Sequence, residues 1–162
     1  MTVMPLTPGH AEEIAAVEAL CFTDPWSLQS VQSELQNPVS QYFGVVLESC
    51  LAAYGGIQIV LDEGYITNIA TNPAFRRRGA AGAVLRHILA DARARGLVFV
   101  TLEVRESNAP ARALYQKHGF EEAGLRRAFY NKPREDAVIL TKVLADGKPG
   151  GTEIVTRGND AP

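Results

Sequence analysis

The chain contains 162 residues, of which 46% are apolar and 21% are charged, and its formal net charge at neutral pH is −2. This composition is typical of one globular domain, and it excludes a protein that binds nucleic acid or an anionic membrane through a strong overall charge. Two cysteines are too few for a disulfide framework, the N-terminus lacks a secretory signal, and no apolar stretch approaches the roughly 18 residues that span a bilayer. We therefore expect a cytoplasmic protein.

The first third of the sequence predicts a strand, two helices and a pair of strands. A short strand at 2–6 precedes a helix that Thr7 caps, and a second amphipathic helix begins at the N-cap Ser27. Two β-rich segments, 42–47 and 51–61, follow, with a short polar turn between them. This part of the chain is expected to form antiparallel pairs.

The middle of the sequence predicts a strand–helix–strand crossover. A strand at 65–71 leads to a strongly amphipathic helix at 80–95 and then to an apolar strand at 97–104. Such a crossover joins parallel or nearly parallel strands. Because the strand at 97–104 shows no sustained alternation, we expect both of its faces to be buried.

The last part predicts one helix, two strands and a tail. Ser107 or Asn108 caps the helix, the strands cover about 120–130 and 137–144, and the residues from 146 to 162 have the composition of a disordered segment. We expect one domain at 1–145 with an α+β fold in α/β/α layers. Its sheet would be mixed and mostly antiparallel, with helices on both faces and a central β-α-β crossover.

The segment between the strand at 65–71 and the long helix has the composition of an anion site. Arg76 to Arg78 add positive charge, and the first-turn amides of the helix have no intrahelical partners. Glycine and alanine at 79–82 let a phosphate approach the backbone. The same residues would equally allow tight helix packing with the arginines in solvent. The segment lacks both Gly-Lys-Ser/Thr and G-x-G-x-x-G, so a P-loop and a dinucleotide fingerprint are not expected.

Arg76-x-x-Gly79-x-Ala81 resembles the pyrophosphate loop of the GNAT (Gcn5-related) N-acetyltransferases, and the likeness covers roughly residues 2–144. Within that family the chain is similar to the RimI type, the ribosomal-protein alanine N-acetyltransferases. Five runs carry this second likeness: Cys21-Phe22-x-Asp24-Pro25-Trp26-Ser27, Asn68-Ile69-Ala70, Leu102-Glu103-Val104-Arg105-x-Ser107-Asn108, Ala113-Leu114-Tyr115-x-Lys117-x-Gly119-Phe120 and Glu135-Asp136-Ala137.

The resemblance implies acetyl-CoA as the acetyl donor and a GNAT fold. It implies that backbone groups of Ile69, Ala70 and Thr71 pair with the pantetheine arm, and that Asn108 contacts coenzyme A. It also implies that consecutive backbone amides hold the pyrophosphate, namely those of Arg77, Arg78, Gly79, Ala80, Ala81 and Gly82. Glu103 would be the general base and Tyr115 the general acid. Phe129 and Tyr130 would lie near the acceptor peptide.

Glu103 and Tyr115 each have a second interpretation. Glu103 lies near the carboxyl end of an apolar strand, where ligands gather and where partial burial tends to raise a carboxyl pKa, but it could simply pair with Arg105 or another cation. Tyr115 shares a helix face with Leu114 and could be a core aromatic. As an acid, its reference pKa of about 10 exceeds the roughly 8.5 of a thiol. Proton transfer must therefore be concerted with C–S cleavage, or the site must lower the pKa of Tyr115.

Several further groups could take part in chemistry. The oxyanion would need a backbone N–H in the strand 68–71, which a β-bulge could free. Cys21 lies on the apolar face of the first helix and is expected in the core, and Trp26 is either a hydrophobic plug or part of the acceptor wall. Three scattered histidines show no metal-ligand spacing, and no metal is expected. The short arginine run does not indicate nucleic-acid binding.

The resemblance and the chemistry leave three functions open. The first is acetylation of a protein N-terminus, most specifically the alanine of the eighteenth small-subunit ribosomal protein, with that protein as the partner. The second is acetylation of a lysine or a small-molecule amine. The third is a coenzyme-A-binding module without turnover, which the presence of both Glu103 and Tyr115 disfavours.

Overall fold

A computed structural model describes residues 1–145 of the chain. They form a seven-stranded sheet with the order β1-β2-β3-β4-β5-β7-β6, in which only β4 and β5 are parallel neighbours. The strands are β1 Val3–Pro5, β2 Ser40–Leu47, β3 Cys50–Val60, β4 Glu63–Thr71, β5 Phe99–Arg105, β6 Glu121–Asn131 and β7 Arg134–Val143. The tail expected at 146–162 lies outside the described residues.

Four α-helices accompany the sheet: α1 Ala11–Cys21, α2 Leu28–Gln36, α3 Ala80–Ala94 and α4 Ala109–Lys117. The order of strands and helices is the predicted one. The first helix begins later than expected, since the residues that follow Thr7 form a separate 3-10 turn at Pro8–His10. No helix within residues 1–145 combines the length and apolar character that a membrane crossing requires.

Two apolar clusters lie on opposite faces of the sheet, which confirms the expected layers. One cluster is built on α3, whose Val84, Leu85 and Ile88 are fully buried, and it also includes α4. The other is built on α1 and α2, with Ile14 and Val31 at its centre. Each helix therefore buries one apolar stripe against the sheet.

The expectation that both faces of β5 are buried is wrong. Its residues alternate, with Val100, Leu102 and Val104 buried in the α3 cluster and the residues between them only partly buried as whole residues. The reason is that α1 packs on β3 and β4 while α2 packs on β2, so these helices do not cover the other face of β5. That uncovered face carries Glu103.

Candidate active site between strands β4 and β5

β4 and β5 separate after a short paired stretch. They pair at three positions, from Glu63 opposite Phe99 to Tyr65 opposite Thr101. Beyond this point β4 continues beside β3 as far as Thr71, and β5 continues beside β7 as far as Arg105. The two facing edges therefore border a notch in the sheet, and an extended ligand with amide groups can pair with such an edge.

The three residues predicted to pair with the pantetheine arm, Ile69, Ala70 and Thr71, lie on the β4 side of this notch. A β-bulge precedes them. Gly56 lies opposite Asn68 and Ile57 opposite Ile66, which leaves Thr67 as the extra residue. A bulge was named as one way to free a backbone amide for the oxyanion, and an oxyanion donor among the amides that follow this bulge stays a prediction.

The predicted pyrophosphate loop forms an open cradle of backbone amides. Arg77 and Gly79 have positive φ angles of 64° and 81°, and such turns draw successive N–H groups toward a common point. Gly79 caps α3 without a side chain, and the first intrahelical bond runs from the Ala83 amide to the Gly79 carbonyl over 3.0 Å. The amides of Ala80 to Gly82 thus lack intrahelical acceptors.

Space is available at this cradle for a bound group. A Cβ placed on Gly79 would meet no atom within 4 Å, and Arg77, Arg78 and Gly79 are all exposed. The Arg78 guanidinium lies 3.5 Å from the Glu48 carboxylate and 5.3 Å from the centre of the Phe75 ring. Free amides at a helix N-terminus beside exposed arginines fit a diphosphate.

Asn108, the third part of the predicted coenzyme A site, caps α4. Its side-chain oxygen accepts a hydrogen bond of 3.2 Å from the Ala111 amide, and α4 then carries Tyr115. Of the two capping residues proposed from the sequence, Asn108 is the one used. Its contact with coenzyme A stays a prediction.

Glu103 is held by donors from two neighbouring elements. Its side chain is 5% exposed, and its Oε1 lies 3.2 Å from the Nε of Arg126 on β6. The Tyr65 hydroxyl on β4 donates to its Oε2. The expected alternative, an ion pair with a cation, is therefore present, but with Arg126, since Arg105 pairs with Glu135 at 3.2 Å. These contacts orient the carboxylate where the two strands separate.

Tyr115 is buried, with 6% of its surface exposed, and its ring meets Phe120 edge-to-face with 5.6 Å between centroids. Burial is the main cause that raises the pKa of Tyr115 above its usual range, and interaction with Tyr130 adds to it. Of the two routes left open for this acid, the raised pKa favours proton transfer that is concerted with C–S cleavage, and the acid role itself stays a prediction.

Tyr130 connects the two predicted catalytic residues. Burial, followed by the negative charge of Glu103, raises the pKa of Tyr130 to about 12. The Arg105 guanidinium lies 4.3 Å from the centre of the Tyr130 ring and donates to the Lys132 and Pro133 carbonyls over 3.2 and 2.9 Å. Tyr130 on β6 is thus close enough to interact electrostatically with both Glu103 on β5 and Tyr115 on α4. Tyr130 lies near the end of β6, next to the β6–β7 turn.

The loop between α1 and α2, residues 22–27, lies beside the β6–β7 turn. The Thr23 hydroxyl donates to the Lys132 carbonyl, so the loop contacts the β6–β7 turn directly. Trp26 is half-buried and packs against the α1/α2 cluster, and the thiol of Cys21 donates to the Thr71 carbonyl over 3.1 Å. Burial raises the pKa of Cys21, which agrees with a packing role rather than a nucleophilic one.

The three histidines do not form a group that could hold a metal ion among residues 1–145. The His87 ring packs 4.6 Å from that of Phe43, and His118 Nδ1 contacts the Leu114 carbonyl at 2.8 Å. Within residues 1–145 no three His, Cys, Asp or Glu side chains form a group that could hold a metal ion. The expectation of a reaction without metal stays a prediction.

Sequence reasoning missed three residues of this region: Tyr65, Arg126 and Glu18. The first two contact Glu103 only because of the strand register, which no local pattern reveals. Glu18 is 2% exposed. Its signal was available, since an acidic residue four positions after Ile14 falls on the apolar face of α1.

Comparison with known proteins agrees with this geometry. Residues 11–120 match the model of the acetyltransferase (GNAT) family. A relative from Escherichia coli (strain K12), a ribosomal protein bS18-alanine N-acetyltransferase, is 38% identical over 128 residues, which cover 76% of this chain and 84% of the relative. A Mycobacterium tuberculosis relative, N-alpha-acetyltransferase RimI, is 34% identical over 90% of this chain and 94% of its own length. The crystal structure of the ribosomal-protein-S18-alanine N-acetyltransferase from E. coli superposes with a TM-score of 0.84 at 33% identity, covering 92% of this chain and 97% of that one.

Proposed function

The chain belongs to the GNAT acetyltransferase family, and from that membership we propose that it transfers the acetyl group of acetyl-CoA to the N-terminal amine of a protein. The acceptor that its relatives suggest is the N-terminal alanine of ribosomal protein bS18. A ribosomal acceptor would be modified in the cytoplasm.

The observation that carries this proposal is the notch between β4 and β5 with Glu103 at its closed end. A pantetheine arm paired along Ile69 to Thr71 would bring its thioester toward the point where the strands separate. The amides of Arg77 to Gly82 would hold the diphosphate at the other end of the arm. Asn108 would contact the same ligand from the start of α4.

The chemistry of the acceptor favours an α-amine. Its reference pKa of about 7.7–8.0 leaves about a quarter of it neutral near pH 7.4, against about a thousandth of lysine with its pKa of about 10.4. One carboxylate, acting directly or through a water, can remove the remaining proton. Glu103 is the carboxylate oriented at this position.

Two proton transfers accompany the proposed acetyl transfer. The acceptor nitrogen attacks the thioester carbon, a backbone amide that follows the bulge stabilises the oxyanion, and Glu103 takes the proton of the amine. The C–S bond then breaks, and the leaving sulfur takes the proton of Tyr115 as the bond breaks. The raised pKa of Tyr115 keeps that proton in place until then. Glu103 finally gives its proton to solvent, and the Tyr115 phenolate takes one from solvent, which restores both groups.

A pair of peptides tests the acceptor. One peptide has a free N-terminal alanine, and the other has the same sequence with a blocked N-terminus and one lysine. We expect acetylation of the first to be much faster at neutral pH, measured by mass spectrometry and thiol release. Faster acetylation of the blocked peptide would rule out the α-amine, and no turnover of either with bound coenzyme A would support a binding module.

A further inference from the structure

Glu18 is a buried carboxylate that the proposed chemistry does not use. Its side chain lies on α1, is 2% exposed, and belongs to none of the ion pairs among residues 1–145. A buried charge is costly unless several hydrogen bonds compensate it. Its surroundings supply these bonds.

Three donors converge on this carboxylate. Oε1 accepts from the Asn68 side-chain amide at 2.6 Å and from the Tyr54 hydroxyl, and Oε2 accepts from the Trp26 backbone amide at 3.2 Å. Asn68 Nδ2 also lies 2.8 Å from the Tyr54 hydroxyl, which closes the group. Burial and the Glu18 charge both raise the pKa of Tyr54, so Tyr54 stays a neutral donor.

The donors belong to the two halves of the candidate site. Trp26 lies in the loop 22–27, which contacts the β6–β7 turn next to Tyr130, a residue predicted to lie near the acceptor peptide. Asn68 is the first residue after the bulge and directly precedes Ile69, which is predicted to pair with the pantetheine arm. The Glu18 carboxylate therefore joins the loop 22–27 to β4, the strand predicted to pair with the acetyl donor.

The bulge itself belongs to the same network. The Thr67 hydroxyl lies 3.0 Å from Asn68 Oδ1 and 3.3 Å from the Tyr42 hydroxyl. Asn68 therefore accepts from Thr67 and donates to Glu18, which fixes the orientation of its amide. Asn68 therefore links Thr67, the extra residue of the bulge, to Glu18.

We propose that Glu18 is a positioning residue, which holds the loop 22–27 against the bulge of β4 so that the acceptor amine and the thioester meet in reacting geometry. This inference rests on the proposed function, since it names the residue that aligns the two substrates. It assigns Glu18 no contact with either substrate.

Reversal of one hydrogen bond tests this role. In Glu18→Gln, three donors face a side chain that has one acceptor oxygen and an amide. In Asn68→Asp, two carboxylates face each other. In the double variant, the new amide at position 18 can donate to the new carboxylate at position 68, its oxygen can still accept from Trp26, and Tyr54 can donate to position 68. The charge of the group is also restored.

Glu34→Gln is the matched control, because Glu34 on α2 likewise accepts from two side chains, from Gln58 on β3 at 2.6 Å and from Ser40 on β2.

Two measurements separate positioning from a purely structural role. The first is kcat/KM for the alanine peptide at temperatures well below the thermal midpoint of each variant. The second is acrylamide quenching of tryptophan fluorescence, which reports on Trp26 alone because the chain has one tryptophan. We expect each single variant to lose on the order of 10- to 100-fold in kcat/KM, as small misplacements of reacting groups do. We expect Glu18→Gln to increase quenching, and the double variant to recover most of both losses.

The outcomes are distinct. Wild-type kcat/KM in Glu18→Gln, even with a lower thermal midpoint, would overturn the proposal, as would a double variant no more active than the single ones or an equal loss in Glu34→Gln. If the wild-type protein fails to acetylate the alanine peptide, the proposed function is wrong. The quenching comparison then still decides whether Glu18 fixes the loop, and unchanged quenching in Glu18→Gln overturns that.

Discussion

Glu103 is oriented by two side chains that contribute different properties. Arg126 supplies a positive charge to one oxygen, and the Tyr65 hydroxyl, from the last parallel pair of β4 and β5, supplies a neutral donor to the other. Each carboxylate oxygen has two acceptor sites, so both contacts leave capacity for a substrate proton or a water. A base held in this way does not need to reorient during the reaction.

Glu103→Gln tests this residue. The amide keeps the shape and can still accept one hydrogen bond, but it cannot take a proton, so we expect kcat for the alanine peptide to fall by about 10²–10⁴-fold with little change in coenzyme A affinity. Steady-state kinetics and calorimetry measure the two effects. Glu122→Gln is the control, since Glu122 is an exposed acid paired with Arg112. A variant with wild-type kcat would show that another group is the base.

Tyr115→Phe tests the acid. Because the pKa of Tyr115 is raised, the wild-type phenol stays protonated beyond the usual tyrosine range. We expect wild-type kcat/KM to rise with pH through the acceptor pKa of about 8 and then to stay level to about pH 10. The variant should keep this profile but lose kcat by about 10²-fold or more. A wild-type alkaline limb centred near pH 9 that disappears in the variant would contradict the raised pKa.

At the scale of elements, α3 is bounded by two glycines in similar conformations. Gly79 precedes the helix with φ 81° and Gly96 follows it with φ 75°, and a Cβ on either would meet no atom within 4 Å. The helix is therefore terminated at both ends by residues that tolerate positive φ. Only the N-terminal one faces the proposed diphosphate.

Gly79→Ala and Gly96→Ala form a matched pair. Each introduces an L-residue at positive φ, so each should lower the free energy of unfolding by about 1 kcal/mol. Only Gly79→Ala adds a methyl group to the amide cradle, and we expect a higher KM for acetyl-CoA in that variant alone. Denaturant unfolding and steady-state kinetics check the two effects. Equal KM values in the two variants would place the diphosphate elsewhere.

The order of elements was predictable because its signals are local. Ser27 and Asn108 cap helices as expected, and the periodicity of α3 gave its bounds to within one residue. The exposed face of β5 was not predictable, since it depends on where α1 and α2 pack. Residues distant in sequence, such as Arg126 beside Glu103, meet through strand register and are beyond local reasoning.

The whole molecule buries most of its tyrosines. Tyr42, Tyr54, Tyr115 and Tyr130, four of the five in the chain, all have pKa values raised mainly by burial. Each is neutral in the folded and unfolded protein below about pH 10 and so contributes no pH dependence there. Above that pH the unfolded chain loses protons that the folded chain retains.

Stability should therefore fall at alkaline pH. The unfolded state binds fewer protons above about pH 10, so the free energy of unfolding decreases as pH rises, by up to about 1.4 kcal/mol per pH unit for each tyrosine. Urea unfolding at neutral pH and near pH 11 measures this, with phenolate absorbance as the second probe. Tyr42→Phe should reduce the slope. Complete phenolate formation near pH 10 in a protein that stays folded would refute the expectation.

Five hydrogen bonds connect the elements around the predicted acceptor region into a closed ring. Its links are Thr23 to Lys132, Lys132 to Arg105 on β5, Glu103 on β5 to Tyr65 on β4, Asn68 on β4 to Glu18, and Glu18 to Trp26. We expect the acceptor amine to reach Glu103 through this ring. A chain terminus needs the width of one backbone to reach its centre, whereas a lysine in the middle of a folded chain brings a backbone that runs both ways across the rim. The protein would thus sort its acceptors by how they are presented before any side chain is read.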